Sequence, residues 1–271
     1  MRSPLGIVLA VACLTGCSAS PPSAQPMPSA GSSSGHRSGR PWVPAPAVPW
    51  QWQLTTPVDL SVNVPVYDID GFDNSAAVVR ELHERNRRVI CYVNVGAAEN
   101  FRPDYTVFPP GVLGRRNGWP GERWLDIRRV DVLGPIMAKR FDMCRAKGFD
   151  AVEPDLVEGY TESTGFPLTA ADQLRYNRFI AGLAHDRGMS VGLKNDLAQI
   201  PALLAYFDFA VNEQCAEFGE CHLLTPFVNA GKAVLHVEYK LPTSRFCAET
   251  KALGFSSMRK RLPLGPWRQP C

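Results

Sequence analysis

The chain has 271 residues, of which 45% are hydrophobic and 20% are charged, and its formal net charge is +3. Arg2, Arg37 and Arg40 precede Trp50, and the 26 basic residues that remain are matched by 26 acidic residues. The region from Trp50 onward is therefore neutral overall. It lacks the excess of basic residues on which nucleic-acid binding depends, so no nucleic-acid partner is expected.

An export signal is predicted at the start of the chain. Arg2 precedes an apolar run at residues 5–14, which is too short for a stable membrane span. The letters LTGC at residues 14–17 are similar to the lipobox of bacterial lipoproteins, where the peptide is cut before a cysteine that then carries lipid. We expect residues 1–16 to be a signal peptide and Cys17 to be lipidated, so that this anchor is the protein's contact with a membrane. An ordinary secretory leader is the alternative.

A flexible linker is predicted over residues 17–49. From Ser18 to Pro49, 19 of 32 residues are Ser, Pro or Gly, and none is acidic. Such a stretch cannot bury enough apolar surface to offset its ordering entropy. Residues 50–271 are then expected to form one large domain, which the linker holds a short way from the membrane surface.

Six cysteines follow the leader. An even number in an exported protein predicts disulfides, and six cysteines allow 15 pairings. One predicted bridge closes a short loop, one holds the C-terminal tail, and the third joins the two cysteines that remain. A zinc site is the alternative, but none of the spacings is CxxC, and no metal is expected. The predicted bridges are Cys215–Cys221, Cys247–Cys271 and Cys91–Cys144.

Apolar strand-like runs alternate with amphipathic helix-like segments. Turns such as KGFD, DRGM and AGKA place a glycine at the end of a predicted helix, as helix C-caps do. The connection at residues 96–123 is rich in Gly and Pro and has no clear helix. Strands are predicted at residues 62–68, 89–95, 124–127, 151–154, 190–194, 207–212, 233–238 and 254–258. Helices are predicted at residues 75–87, 132–147, 170–187, 197–206, 222–230 and 245–253.

Eight strand signals with intervening helices predict an α/β fold, a (β/α)8 TIM barrel. An open doubly wound sheet is the alternative. Its usual companion, a GxGxxG motif after an early strand, is absent from the sequence, so the barrel is favoured. In a barrel, the residues at the carboxyl ends of the strands meet at one mouth, where active sites lie.

Polar and aromatic residues recur at these predicted strand ends. The stretch DAVEPDLVEGY at residues 150–160 alone carries four carboxylates, and such crowding of like charges is costly without a use. Paired carboxylates without a metal signature favour glycoside hydrolysis, in which one acid protonates the leaving oxygen and the other attacks or activates water. The candidate site residues are Asp68, Tyr92, Asn94, Glu99, Trp124, Asp126, Glu153, Asp155, Lys194, Asn195, Glu213, Glu238 and Tyr239.

Several of these candidates have a structural alternative. Trp124 and Tyr92 are equally consistent with core packing. Glu153, two residues before Asp155, shares its face deeper in the barrel and is as consistent with an ion pair to Lys194 as with catalysis. Asp68 binds substrate or caps a loop. His236 is interpreted as a satisfied interior residue.

The region from Trp50 to about Phe255 resembles the glycoside hydrolase family 114 domain, the endo-α-1,4-polygalactosaminidases. The matching stretches are WQWQL, VYDIDGFD, VICYVNVGAAEN, WLDIR, GFDAVEPDLVEGY, VGLKND, NEQC and HVEYK. The resemblance implies a TIM barrel that cleaves α-1,4-linked galactosamine polymer, with the catalytic carboxylates on the fourth and sixth strands. These positions map to Asp155 and Glu213. A polysaccharide substrate, no cofactor and a monomeric enzyme are expected.

Deacetylated galactosamine polymer carries ammonium groups, which suit an acidic mouth. We expect Asp155 to act as nucleophile or base and Glu213 as general acid, with retention or inversion left open. Two alternatives remain: an α-glycosidase acting on a neutral galactoside, and a carbohydrate-binding lipoprotein without turnover. The acids expected to hold amines are Asp68, Glu99, Asp126, Glu153, Glu158 and Glu238.

Overall fold

The computed structural model describes residues 40–271, so the predicted signal peptide, Cys17 and residues 18–39 of the predicted linker lie outside the described residues. Part of the remaining linker packs on the folded region. Trp42 and Val48 contact the hydrophobic cluster that contains Trp50, and Pro44 is buried. Residues 40–49 thus belong to the same compact unit as the predicted domain. Across residues 40–271, every helix falls short of the length and apolarity that a membrane crossing requires.

Twelve strands and seven α-helices follow one another in the described residues. The strands are β1 (Trp50–Gln53), β2 (Val66–Asp70), β3 (Arg88–Asn94), β4 (Ala97–Glu99), β5 (Leu113–Arg116), β6 (Glu122–Leu125), β7 (Ala151–Asp155), β8 (Ser190–Lys194), β9 (Phe209–Glu213), β10 (Val234–Glu238), β11 (Ser256–Arg259) and β12 (Gln269–Pro270). The helices are α1 (Ala76–Glu84), α2 (Val130–Lys147), α3 (Ala170–His185), α4 (Ile200–Leu203), α5 (Cys215–Phe218), α6 (Thr225–Asn229) and α7 (Thr243–Ala252).

The main sheet consists of eight parallel strands in the order β1-β2-β3-β7-β8-β9-β10-β11, with β12 antiparallel on β11. Consecutive parallel strands lie side by side, and helices such as α1, α2, α3 and α7 lie in the connections between them. This is the arrangement of a TIM barrel, in which each connection returns the chain to the same end of the sheet.

One predicted barrel strand was wrong. Residues 124–127 were expected to form the third barrel strand, but β6 lies in a separate antiparallel sheet of order β4-β6-β5, where Trp124 pairs with Ala97. The first barrel strand is instead β1, whose four residues WQWQ are all buried. The segment between β3 and α2 contains no α-helix and folds back as an antiparallel sheet, so an apolar run in it resembled a barrel strand. Asp155 and Glu213 still end the fourth and sixth parallel strands.

Side chains of the parallel strands alternate between the barrel interior and the layer between strands and helices. In β10, Leu235 and Val237 belong to one cluster, and Val234 belongs to another that includes Phe227 of α6. We call the first the interior cluster. Polar residues that continue its face toward the carboxyl ends of the strands therefore point into the barrel mouth. The interior cluster is Trp50, Trp52, Val66, Ile90, Ala151, Phe209, Val211, Ala233, Leu235, Val237, Met258 and Leu264.

The C-terminal segment joins the first and last parallel strands. The Leu54 N–H donates to the carbonyl of Leu264 at 2.9 Å, and Arg268 donates to the carbonyl of Trp50 at 3.0 Å. The Trp50 indole also donates to the carbonyl of Ser256 in β11 at 2.8 Å. These bonds satisfy backbone groups at the seam between β1 and β11, which would otherwise be buried without partners.

All three predicted disulfides are present: Cys91–Cys144, Cys215–Cys221 and Cys247–Cys271. The first joins β3 to α2 across 53 residues, and such a loop stabilises the fold by about 4 kcal/mol in the chain-entropy account. Ligand-type atoms of Cys215, Cys221 and His236 lie within 4.8 Å of one another. The two sulfur atoms are bonded to each other, however, so neither is a free thiolate for a metal.

Candidate active site

The candidate site is built on the carboxyl ends of three neighbouring strands, β7, β8 and β9. Ala151 belongs to the interior cluster, and Glu153 and Asp155 follow it at two-residue steps, so all three point into the barrel. Lys194 and Glu213 are the last residues of β8 and β9. Because these strands are adjacent in the sheet, their terminal side chains converge on one point.

The backbone turns sharply just after each of these side chains. The residues that follow them adopt the left-handed region, which non-glycine residues rarely occupy and which costs free energy. A Cβ at Gly96 would overlap the carbonyl of Leu156, so only glycine lets the turn after β3 lie against the end of β7. The left-handed residues are Leu156 (φ 59°), Asn195 (φ 47°) and Gln214 (φ 66°).

Lys194 lies at the centre of the site. Its Nζ is 2.8 Å from Asp155 Oδ1, 3.2 Å from Glu213 Oε2 and 3.2 Å from Glu153 Oε1. The side chain is buried, and its Nζ also lies 4.7 Å from the ring centre of Trp52. Burial alone would lower the pKa of Lys194, but the surrounding carboxylates outweigh burial and hold that pKa well above its usual value. Lys194 is therefore a permanent cation.

Asp155 is held as an oriented carboxylate. Lys194 donates to its Oδ1 at 2.8 Å, and the Tyr92 hydroxyl donates to its Oδ2 at 2.7 Å. Burial opposes ionisation, but the charge of Lys194 and the two hydrogen bonds outweigh it and hold the pKa of Asp155 below its usual value. Asp155 is thus ionised at neutral pH, as a nucleophile or base must be.

Glu213 faces Asp155 across the Lys194 ammonium. Its Oε1 accepts a hydrogen bond from the Tyr239 hydroxyl, and its side chain is 24% exposed against 15% for Asp155. Asp155 Oδ1 and Glu213 Oε2 both contact Lys194 Nζ, so these two oxygen atoms are no further apart than the sum of the two distances, 6.0 Å. One glycosidic bond fits between carboxyl groups at that separation.

A second carboxyl pair lies beneath Lys194. Asp68 and Glu153 are both fully buried. Burial and the charge of Glu153 raise the pKa of Asp68 well above its usual value, which favours the neutral form of Asp68 beside the Glu153 carboxylate. Glu153 is therefore the ion-pair partner of Lys194, the structural alternative given for it above. Neither residue reaches the cavity, although both were predicted to bind substrate.

Above these groups the barrel mouth forms a cavity of about 330 Å³, which we call the acidic cavity. Six of the predicted site residues line it: Tyr92, Asp155, Lys194, Asn195, Glu213 and Tyr239. The remaining lining residues are Trp52, Leu54, Trp119, Glu122, Leu156, Glu158, Leu262, Pro263 and Leu264.

The model of glycoside-hydrolase family GH114 matches residues 31–271. The chain therefore belongs to glycoside-hydrolase family GH114. The predicted family, the TIM-barrel fold and the glycoside hydrolase class are confirmed.

Solved structures and a sequence relative resemble this GH114 chain. The crystal structure of Aspergillus fumigatus Ega3 in complex with galactosamine is 37% identical, with a TM-score of 0.81, and the match covers 88% of this chain and 100% of that one. The glycoside hydrolase domain of PelA from Pseudomonas aeruginosa is 13% identical (TM-score 0.62; 81% and 96% covered) and shares the fold. An uncharacterized protein of Deinococcus radiodurans is 28% identical over 209 residues, which span 68% of this chain and 66% of that relative.

Two acids that are not among the candidate site residues, Glu122 and Glu158, also line the acidic cavity. Glu122 accepts hydrogen bonds from Asn117 at 2.7 Å and Asn94 at 3.3 Å, and Glu158 accepts one from Asn195 at 3.2 Å. Burial raises the pKa of Glu122 and of Glu158. A bound cation would favour their ionised forms. Glu158 is one of the acids expected to hold amines, whereas Glu122, at the start of β6, and Trp119 lie in the Gly- and Pro-rich segment 96–123, for which no element is predicted.

Three predicted site residues of the GH114 chain stabilise the segment between β3 and α2. Asn94 accepts the backbone N–H groups of Gly96 and Ala97 and so caps the turn after β3. Glu99 is buried between Arg102 (3.0 Å) and Arg140 (3.5 Å). Trp124 is 7% exposed and lies in β6. None of the three side chains is among the residues that line the acidic cavity.

Two further predicted acids, Asp126 and Glu238, also lie away from the acidic cavity, and each is held by hydrogen bonds to other residues. Asp126 accepts two hydrogen bonds from Arg128, at 2.7 and 2.8 Å. Glu238 is on the outer face of β10, opposite to Val237, and accepts the Ala216 N–H at the start of α5 at 2.8 Å. His236 lies buried beside Glu238, 3.0 Å from it, and is a satisfied interior residue.

Proposed function

We propose that this GH114 protein hydrolyses α-1,4-linked galactosamine polymer. The observation that carries the proposal is the acidic lining of the cavity, in which four carboxyl groups face the single cation Lys194: those of Glu122, Asp155, Glu158 and Glu213. Such a cavity attracts a saccharide that bears ammonium groups and disfavours an anionic one. The structure of Ega3, 37% identical, holds galactosamine, which supports the same sugar here.

In the proposed reaction Asp155 is the nucleophile and Glu213 the general acid. Asp155 attacks the anomeric carbon while Glu213 transfers its proton to the glycosidic oxygen, so the chain with the new hydroxyl leaves and a glycosyl-aspartyl ester forms. Glu213 then takes a proton from water, which attacks the anomeric carbon and releases Asp155. We propose the retaining course because Asp155 is an oriented carboxylate and its Oδ1 lies no more than 6.0 Å from Glu213 Oε2, close to the roughly 5–5.5 Å typical of retaining pairs.

Aromatic side chains supply the rest of the proposed saccharide site. Trp52, Tyr92, Trp119 and Tyr239 all line the acidic cavity. Their flat apolar faces suit the C–H faces of sugar rings, and Trp119 is 52% exposed, as a platform for a polymer unit beyond the cleaved bond would be. Glu122 and Glu158 are placed to accept hydrogen bonds from the amines of neighbouring units.

Defined galactosamine oligomers test the proposed substrate. The protein is expected to shorten them, with product lengths read by mass spectrometry, and N-acetylation of the same oligomers is expected to lower the rate at least about tenfold, the equivalent of 1.4 kcal/mol. A neutral α-1,4-galactose oligomer is the matched control. Equal rates on acetylated or neutral oligomers would refute the cationic substrate, and binding without release of reducing ends would identify a carbohydrate-binding protein.

We further propose that the protein is exported, anchored through Cys17 behind the signal peptide 1–16 and the linker that follows, and active as a monomer. Three disulfides support an oxidising compartment. In cells of the source organism, Cys17→Ala is expected to move the protein from the membrane fraction to the culture medium. Cys13→Ala, which removes a cysteine from within the signal peptide, is the matched control. Membrane retention of the Cys17 variant would contradict the anchor.

A further inference from the structure

A second cavity lies beside the acidic cavity and has the opposite charge. Its volume is about 660 Å³, and Tyr239 and Leu262 line both cavities. Four of its eight lining residues are cationic and none is acidic. We call it the basic pocket. Its other lining residues are Gln214, Lys240, Arg259, Lys260, Arg261 and Trp267.

The cations of the basic pocket are largely without counter-ions. Among residues 40–271, Lys240 is the one of the four with a carboxylate within 4.0 Å, that of Glu217 at 2.8 Å. The Arg259 side chain is held by neutral groups, since it donates to the carbonyl oxygens of Tyr239 (3.2 Å) and Lys240 (3.4 Å). These contacts orient the guanidinium group without neutralising it.

Lys260 lies buried in the same wall. It is 1% exposed, and its ammonium donates to Gln51 at 3.3 Å and to the Gly265 carbonyl at 2.8 Å, both uncharged partners. Burial, with a smaller contribution from Arg268, lowers the pKa of Lys260 to about 7. An anion in the pocket would supply the opposite charge that the described neighbours do not.

Apolar surface accompanies these charges. The Arg261 guanidinium stacks over the Trp267 indole, 4.9 Å from its centre, and Leu262 is 54% exposed at the boundary between the two cavities. Stacking fixes the direction of the Arg261 donors at little entropic cost. Flat apolar groups beside oriented guanidinium donors are suited to a ring that carries a carboxylate.

We propose that the basic pocket binds the carboxylate of an acidic saccharide, a uronate unit, adjacent to the saccharide in the acidic cavity. A carboxylate accepts the paired N–H donors of a guanidinium group, and the ring contacts Trp267 and Leu262. An ammonium-bearing unit is disfavoured here, because it would be repelled by the Lys240, Arg259 and Arg261 charges. This inference rests on the proposed function: a galactosamine oligomer occupies the acidic cavity, and a saccharide that also carries a uronate unit gains a further contact in the basic pocket.

Titration calorimetry with α-1,4-linked trigalacturonate tests this inference on the full folded protein. Binding is expected for the wild type at low ionic strength, and the double variant Lys240→Gln/Arg261→Gln is expected to bind at least tenfold more weakly. Both side chains are exposed, so the fold should be kept. Arg245→Gln/Lys251→Gln on α7 removes the same charges from another exposed surface and is expected to bind as the wild type does.

Three results would overturn the inference: equal binding of neutral α-1,4-galactotriose, equal weakening in the α7 control, or inorganic phosphate binding as tightly as the trisaccharide. The last would reduce the pocket to a general anion site. Calorimetry requires no turnover, so failure to hydrolyse galactosamine oligomers would refute the proposed function and leave this result unchanged.

Discussion

Asp155→Asn is expected to reduce the hydrolysis rate of galactosamine oligomers by about 10⁴-fold or more, because the variant has no anion to attack the anomeric carbon. The amide keeps the size of the carboxyl group and still accepts a hydrogen bond from Tyr92 or Lys194. The variant should therefore still bind the oligomer, although it hydrolyses the oligomer far more slowly. The measurement is kcat on a defined oligomer, with thermal unfolding recorded in parallel.

Glu213→Gln is expected to lose about 10²–10⁴-fold, the usual contribution of a general acid. The loss of rate in Glu213→Gln depends on the leaving group, because a nitrophenolate leaves without needing a proton from an acid. An aryl glycoside of a galactosamine oligomer should therefore recover most of its first-step rate in Glu213→Gln but not in Asp155→Asn. This contrast separates the acid from the nucleophile.

Glu249→Gln is the matched control, since it removes a carboxylate from an exposed position on α7. It should keep wild-type activity. Full activity in Asp155→Asn or Glu213→Gln, with the fold intact, would end the assignment of both residues. Rescue of Asp155→Asn by the aryl leaving group would instead exchange the two roles.

Lys194→Met is expected to have the second large effect, on both stability and activity. It leaves the carboxylates of Glu153, Asp155 and Glu213 together without their cation, and an uncompensated buried charge costs about 3–5 kcal/mol. Chemical denaturation measures this loss. A loss under 1 kcal/mol would show that the carboxylates take up protons or water without strain.

The activity of Lys194→Met should change with pH in a defined direction. Burial raises the pKa of Asp155, and Lys194 is the main group that lowers it. Without Lys194 the pKa of Asp155 rises above its present depressed value, so the carboxylate is protonated at pH values where the wild type is active. The acid limb of the pH–rate profile should move to higher pH, and part of the activity should return as the pH is raised.

Lys194→Met/Glu153→Gln keeps this test informative if the single variant does not fold. The pair removes one positive and one negative charge together, so the net charge beneath the cavity is unchanged. It is expected to fold better than the single variant and still show the displaced acid limb. An unshifted profile in the double variant would mean that Lys194 only balances Glu153 and does not act on Asp155.

Local periodicity was enough to place most of the polar strand ends. Asp155, Lys194 and Glu213 each follow a short apolar run whose two-residue alternation shows that they end a strand. The same signal misplaced Trp124, because strand pairing depends on distant partners that a single segment does not reveal. It also missed Glu122 and Trp119, since a connection without periodicity carries no local indication of which side chains turn toward the cavity.

The sequence by itself determined the α/β barrel class, the presence of disulfides and the position of the acids at one end of the sheet, because these follow from local patterns and from the export context. Only the tertiary structure decided which acids act together. Glu99 and Asp126 are neutralised by arginines, Glu238 faces the helix layer, and Asp155 shares a lysine with Glu213. The role of a carboxylate depends on the charges around it, and for Asp155 and Glu213 the decisive charge, Lys194, comes from another strand far along the chain.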